Sequence, residues 1–195
     1  VVVTGGGSSS DISIRGMGSA YTVFLIDGKK VNTRSVRPNS DNSGIEQGWM
    51  PSIESIERIE VIRGPMSGLY GSDAMGGVIN IITKKVADTW TSSVKLDTTL
   101  QENRDSGDIH QANLYVSGPL IRNLLGLKAN GTFSQRNEDD IIGGYNKQRI
   151  RAGGATLSLT PSSEHTIDLE YQRSIQNRDQ TVGKTIANVP GRNGK

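Results

Sequence analysis

The sequence predicts a mixed α/β domain over residues 1–85, followed over residues 86–195 by antiparallel strands of alternating polarity. Three observations carry this. Glu57 to Lys84 holds two apolar runs of strand length around a knot of glycines. Beyond Lys85 the texture changes to apolar and polar residues alternating with a period of two. The connections between the alternating stretches are long on one side and short on the other.

In chain order, Val1 to Thr4 reads as a strand, Gly5 to Ser10 as a flexible loop, and Ile12 and Ile14 as the apolar face of a second strand that Gly16 ends. Tyr21 to Ile26 is near-continuously apolar, the pattern of a strand buried on both faces. Asp27-Gly28 turns it into a hairpin with Lys29 to Asn32. Thr33 to Gly48 is polar and without period, a long loop of the kind that carries function more often than structure. Pro51 to Glu57 reads as a short helix, with proline at its start and Ile53 and Ile56 on one face. Ile59 and Val61 then share one face of a strand that Gly64-Pro65 stops, because proline fixes φ and offers no N–H. Gly76-Gly77 opens Val78 to Thr83, β-branched enough for a buried strand.

In the second half, Val94, Leu96 and Leu100 oppose Lys95, Asp97 and Thr99. The pattern recurs in Ala112, Leu114 and Val116, in Leu125, Leu127, Ala129 and Phe133, from Lys147 to Thr160 with a bulge expected at Gly153-Gly154, and in Ile167, Leu169 and Tyr171. Gln101 to Asp108, Gln135 to Asn146 and the tail after Ser174 are long and polar; Ser117 to Asn123 and Thr160 to Glu164 are short. Alternation alone fits a soluble meander as well as a membrane barrel. Long connections on one side and short turns on the other favour the barrel.

Composition narrows the function classes. The chain has 195 residues, 33% of them hydrophobic, and a net charge of +2 from 22 Lys and Arg against 20 Asp and Glu. No field of that size argues for nucleic acid. No window approaches the ~18 consecutive apolar residues of a spanning helix, whereas spanning strands of roughly 9 to 11 residues would be invisible to hydropathy. There is no cysteine, hence no disulfide or thiolate chemistry. The chain opens on Val1-Val2-Val3 without a charged leader, as expected of a sequence that starts inside a domain.

Enzyme motifs fail on their spacing. Gly16-Met17-Gly18 starts a dinucleotide fingerprint, but Tyr21 occupies the third glycine position. Gly183-Lys184-Thr185 imitates a P-loop end with Arg178 in place of the first glycine, and a calcium-loop imitation from Asn39 has Met50 where a bidentate Glu belongs. His110 and His165 fall on separate strands without ligand spacing. Neither an enzyme nor a resident metal is expected.

The stretches IERIEVIRGP and SGLYGSDAMGGVINIITKK, with DISIRGMGSAYTVFLIDGKKVN upstream, resemble the plug domain of TonB-dependent outer-membrane receptors. The likeness is to the catecholate siderophore receptor type, the group of the colicin I, enterobactin and vibriobactin receptors. It covers nearly all of the first 85 residues. The resemblance implies a mixed α/β plug domain, its N-terminal part missing, followed by the first antiparallel strands of an incomplete transmembrane β-barrel. About five strands cannot enclose a plug, which needs roughly 22. It further implies location in the bacterial outer membrane, contact with its lipid, and import of a ferric siderophore as transported ligand, with no covalently bound cofactor. TonB would engage a segment upstream of Val1, and colicins or phage are possible further partners. Haem or cobalamin receptors of the same family are the near alternative. A soluble β-rich surface-binding module is the distant one.

Two sets of site residues follow. Arg15 and Arg63 each end a strand immediately before glycine. The residues alone fit a solvated strand end, and the resemblance implies a plug-barrel lock in which both pair with wall carboxylates beyond Lys195. Lys29, Lys30, Arg34 and Arg37 make the stretch before Asp41 cationic, and Trp49 supplies an aromatic face. This fits a solvated loop, or a site for a bulky aromatic anion such as a ferric tris-catecholate. Met17, Ser19 and Ala20 form a second apical candidate. The expected ligand-binding residues are therefore Met17, Ser19, Lys30, Arg34, Arg37 and Trp49.

Overall fold

A computed structural model describes residues 2–4, 9–14, 16–17, 19–31, 45–46 and 50–188, with the backbone alone at 2–4, 9–12, 19 and 45–46. The chain divides into two compact units, Val1–Lys85 and Val86–Lys195.

In the first unit the strands are β1 (Val2–Thr4), β2 (Ser9–Ser13), β3 (Thr22–Ile26), β4 (Lys29–Val31), β5 (Ile45–Glu46), β6 (Ile56–Arg63) and β7 (Gly77–Thr83). They form a small sheet ordered β1-β2-β5 and a four-stranded sheet ordered β4-β3-β7-β6. Strands β3 and β7 run parallel, Val23 beside Val78 and Leu25 beside Asn80, while β4 and β6 flank them antiparallel. The central pair is buried on both sides, as the unbroken apolar run from Thr22 requires. Ile14, Phe24 and Ile79 pack on one face with Val31 and Met50. Val23, Leu25, Ala74 and Val78 pack on the other with Met66 and Tyr70.

Several local expectations are revised. Only Ile53–Ser55 of the expected Pro51–Glu57 helix is helical, as one 3-10 turn, because Ile56 is already extended and enters β6. The loop expected up to Ser10 is strand from Ser9, since Ser9 and Ser10 pair with Glu46 and Ile45. That pairing also places a short strand inside the loop expected from Thr33 to Gly48; residues 32–44 and 47–49 lie outside the described residues. The glycine knot between β6 and β7 contains one short helix, α1 (Ser67–Tyr70), and a 3-10 turn at Ser72–Ala74.

Among the described glycines of the first unit, Gly77 leaves the least room for a side chain. Its φ is +147°, and a Cβ there would run into the Ile62 carbonyl oxygen. The strained backbone of Gly77→Ala costs about 1–3 kcal/mol before the collision is counted. Amides of β6 and β7 should exchange with deuterium markedly faster in the variant receptor than in the wild type, whereas Gly68→Ala, where a Cβ meets open space, should change nothing.

In the second unit β8 (Thr91–Thr99), β9 (Ile109–Ile121), β10 (Leu125–Arg136), β11 (Lys147–Ser162) and β12 (His165–Asp179) form an antiparallel meander in sequence order. The register runs unbroken through Gly153 and Gly154, so the expected bulge is absent; irregularities fall instead at Leu125/Gly126 and Leu159/Ser162, next to the short turns and Pro161. The two faces are inverted relative to a soluble sheet. Val94, Leu96, Leu114, Phe133, Leu157, Ile167, Leu169 and Tyr171 share one face and are exposed. Asn113, Ser117, Ser134, Gln148 and Thr156 lie on the other and are buried. Water does not select such an arrangement.

Candidate functional site

Of the predicted site residues, Met17 and Arg63 lie around Gly76-Gly77. Ile14 and Met17 exchange backbone hydrogen bonds at 3.1 and 3.0 Å, closing a tight turn with Gly16 at positive φ. That turn abuts Gly76, whose N–H donates to the Tyr21 carbonyl at 2.8 Å and where an added Cβ would stand 3.3 Å from Met17 Cβ. Arg63 is the last residue of β6, opposite Gly77 in register, and is exposed. Past it the chain returns to the knot through Met66 N–H, which donates to the Ala74 carbonyl at 2.9 Å. The Met17 turn and the Arg63 strand end thus meet at one pair of glycines. A Cβ at Gly77 would strike the Ile62 carbonyl oxygen, and one at Gly76 would crowd the Tyr21 carbonyl and Met17.

Lys30, on β4, donates to Asp73 Oδ2 at 2.8 Å and so ties the hairpin to the knot. The pair is half-exposed, and such a pair contributes little stability. Arg15, Arg34, Arg37 and Trp49 lie outside the described residues, as does the side chain of Ser19.

At the far end of the same sheet, Asp27 opens the hairpin turn with φ +48°. Its carboxylate accepts from the Thr83 N–H at 2.8 Å and the Thr83 hydroxyl at 2.6 Å, while Asn80 Oδ1 accepts from Gly28 N–H at 3.2 Å. These bonds fasten the end of β7 to the β3–β4 turn.

The second unit contains a polar cluster that sequence reasoning missed. Asp139, 4% exposed, accepts hydrogen bonds from Gly107 N–H at 2.8 Å, Tyr145 N–H at 2.7 Å and the guanidinium of Arg136. Arg136 also donates to the carbonyls of Asn137 and Tyr145 and lies 5.0 Å from the Tyr145 ring centroid. Neighbouring Glu138 accepts from the Thr181 N–H and hydroxyl, both at 2.6 Å, and from the Thr185 hydroxyl. The β8–β9 connection, the β10–β11 connection and the segment after β12 are thereby held by two adjacent carboxylates. Burial pushes the Asp139 carboxyl up, but the N–H donors of Gly107 and Tyr145 and the Arg136 charge outweigh it, so it titrates below the ordinary aspartate value. The Thr181 and Thr185 hydroxyls hold Glu138 below its ordinary value as well. The run Glu138-Asp139-Asp140, two residues past the strand-ending Arg136, was the available signal.

Among the described residues no group of His, Cys, Asp and Glu is disposed to hold a metal ion, and no helix is long and apolar enough to cross a membrane. The latter says nothing of strands.

Comparison with known proteins matches residues 1–78 to the TonB-dependent Receptor Plug Domain. The iron-regulated outer membrane virulence protein of Vibrio cholerae is 54% identical over 185 residues, 95% of this chain and 28% of its own length. The ferric enterobactin receptor PirA of Pseudomonas aeruginosa is 40% identical over 95% of this chain and 28% of its own length. The crystal structure of the siderophore receptor PirA from Acinetobacter baumannii superposes with a TM-score of 0.74 at 34% identity, over 87% of this chain and 25% of that one. The chain spans less than a third of the length of these relatives, which are named as receptors or outer membrane proteins rather than enzymes. With its glycine-knotted plug sheet and its inverted meander, the chain belongs to the family of TonB-dependent receptors and carries their plug domain followed by strands of their barrel.

Proposed function

We propose that the protein containing this chain imports a ferric siderophore, of catecholate type, across a bacterial outer membrane in a TonB-dependent manner, without chemical change to the ligand. Residues 1–85 form the plug in this reading, and residues 86–195 supply the first five barrel strands. The observation that carries it is the inverted second sheet, apolar side chains exposed and polar ones buried, directly after a plug-type domain. A soluble surface-binding module would bury the opposite face. The relative named as a ferric enterobactin receptor supports a catecholate over haem or cobalamin. So does the absence of histidine from Thr33 to Trp49, which removes the usual haem ligand from that loop.

In this mechanism Lys30, Arg34 and Arg37 attract a trianionic ligand, Trp49 stacks on its rings, and Met17 and Ser19 border it from the neighbouring turn. Arg15 and Arg63 hold the plug to the barrel wall by bidentate pairing with carboxylates. TonB supplies the work that rearranges the plug. The full-length receptor, expressed in an iron-starved strain lacking its own siderophore receptors, should take up labelled ferric enterobactin. Intact insertion without binding would sink the siderophore reading. Charge reversal of Arg34 and Arg37 together should weaken binding about tenfold or more, and unchanged affinity would remove this loop from the site.

A further inference from the structure

The exposed face of the second sheet is apolar along most of its height and then changes character. On β11 the residues sharing that face run Leu159, Leu157, Ala155, Gly153, Arg151, Arg149, Lys147; on β12 they run Ile167, Leu169, Tyr171, Arg173, Ile175. Arg173 stands opposite Gly153, one diagonal step from Arg151, and Arg149 is the next residue on the same face. Diagonal neighbours on one face lie roughly 7–8 Å apart at the backbone, within reach of long side chains. Arg151 and Arg173 are exposed and Arg149 is partly so. Among the strand residues of this face the one carboxylate is Asp179, and it stands opposite Lys147. Among the strand residues of this face the three guanidiniums and Lys147 thus outnumber the carboxylates.

Their height on the sheet gives this meaning. From Leu159 to Arg151 is about 27 Å along the strand at ~3.4 Å per residue. At the ~45° tilt of spanning strands that is roughly 19 Å of height, near the ~25 Å of an outer-membrane apolar band. The arginines lie at the end of the sheet that carries the long connections 100–108 and 137–146, the extracellular end in barrels of this kind. At the opposite margin Trp90 covers Gly118, where a Cβ would strike the indole. One margin is aromatic and the other is a cluster of planar cations, which suit phosphate by bidentate hydrogen bonding.

We propose that Arg149, Arg151 and Arg173 form a binding site for the phosphate groups of an outer-leaflet lipid, with the acyl chains lying along the apolar face below. The site rests on the reading of residues 86–195 as membrane-spanning strands. Like charges this close repel, and a bound lipid phosphate relieves that repulsion while anchoring the sheet in depth.

The test uses the full-length receptor in detergent, incubated with diphosphoryl lipid A and analysed by native mass spectrometry. Wild-type receptor should retain the lipid, and the triple variant R149Q, R151Q, R173Q should bind it at least fivefold more weakly. Dephosphorylated lipid A should bind both proteins equally. Equal binding of diphosphoryl lipid A by wild type and variant would overturn the site, as would binding that does not depend on the phosphates. Full displacement by inorganic phosphate at matched concentration would make it a free-phosphate site and overturn the lipid assignment. Heat-modifiable migration in gels reports barrel formation separately: its absence in the wild type would overturn the barrel reading and the lipid site with it. If only the triple variant fails to form a barrel, R151Q and R173Q taken singly should each still lower lipid retention at least twofold.

Discussion

Replacement of Asp139 by alanine should loosen three connections at once. The carboxylate is buried and holds the N–H of Gly107 on the β8–β9 connection, the N–H of Tyr145 on the β10–β11 connection, and the Arg136 guanidinium. Its removal leaves Arg136, itself 8% exposed, as a buried charge without its counter-ion. Breaking a buried pair in this way costs about 3–5 kcal/mol. The expected result is fast deuterium exchange through residues 100–108 and 137–146 of the receptor, with β9 and β10 still protected. Exchange confined to 137–146 would mean that Gly107 does not depend on Asp139. The double variant Arg136→Met with Asp139→Leu, which removes both charges, should lose less than Asp139→Ala does. Equal loss would locate the effect in the N–H bonds of Gly107 and Tyr145 rather than in the ion pair.

The same cluster sets a pH dependence. Asp139 and Glu138 both have folded-state carboxyls held below their ordinary values, by backbone N–H groups and Arg136 in the first case and by threonine hydroxyls in the second. A depressed folded value means that the unfolded state binds protons first as pH falls. The stabilisation is therefore complete above the ordinary carboxylate range, about pH 4, and is lost as pH drops through the lower folded values. Loop protection should be constant from pH 8 to 5 and decline only in stronger acid. A decline near pH 6 would point to a histidine instead of these carboxylates.

Substitution of Val94 by arginine should block membrane insertion of the receptor. Val94 is 67% exposed and stands opposite Leu114, midway along the apolar face of the second sheet. A guanidinium near the middle of the apolar band of a barrel costs about 2–4 kcal/mol, whereas the same change at a solvent-exposed strand position of a soluble sheet falls within about 0.5 kcal/mol. The fraction of receptor folded into lipid vesicles should fall by a factor on the order of 30 or more. An unaffected yield would mean that this face meets water. Lys95→Met, on the opposite face of the same strand, should leave insertion unchanged.

Much of the architecture could be read from residues because each strand announces its own period. Val94, Leu96, Ala112, Leu114, Leu157 and Leu169 repeat every second position, and alternation is a local property that needs no partner to be visible. The near-continuous apolar run from Thr22 to Ile26 likewise reveals burial on both faces. The short helix expected before β6 failed for a local reason too: Ile53 and Ile56 are three apart, but β-branched Ile56 and Ile59 favour extension once β7 offers a partner. Of the ligand residues, Lys30 and Met17 lie within the described part of the fold, Lys30 bonded to Asp73 and Met17 against Gly76.

By itself, then, the sequence determined the longer strands, the change of texture after Lys85, and the family, because these depend on residue order along the chain, whereas β5 stayed hidden in an expected loop. Tertiary structure alone decided what depends on register between distant segments. It paired β3 with β7 in parallel across some fifty residues, and it turned the apolar face of the meander outward. It brought Gly107, Arg136, Tyr145, Thr181 and Thr185 to two adjacent carboxylates and gathered three arginines at one margin. The physical reason is that periodicity fixes which residues share a face, whereas the direction that face points and the neighbours it meets are set by hydrogen-bonded pairing between strands far apart in sequence.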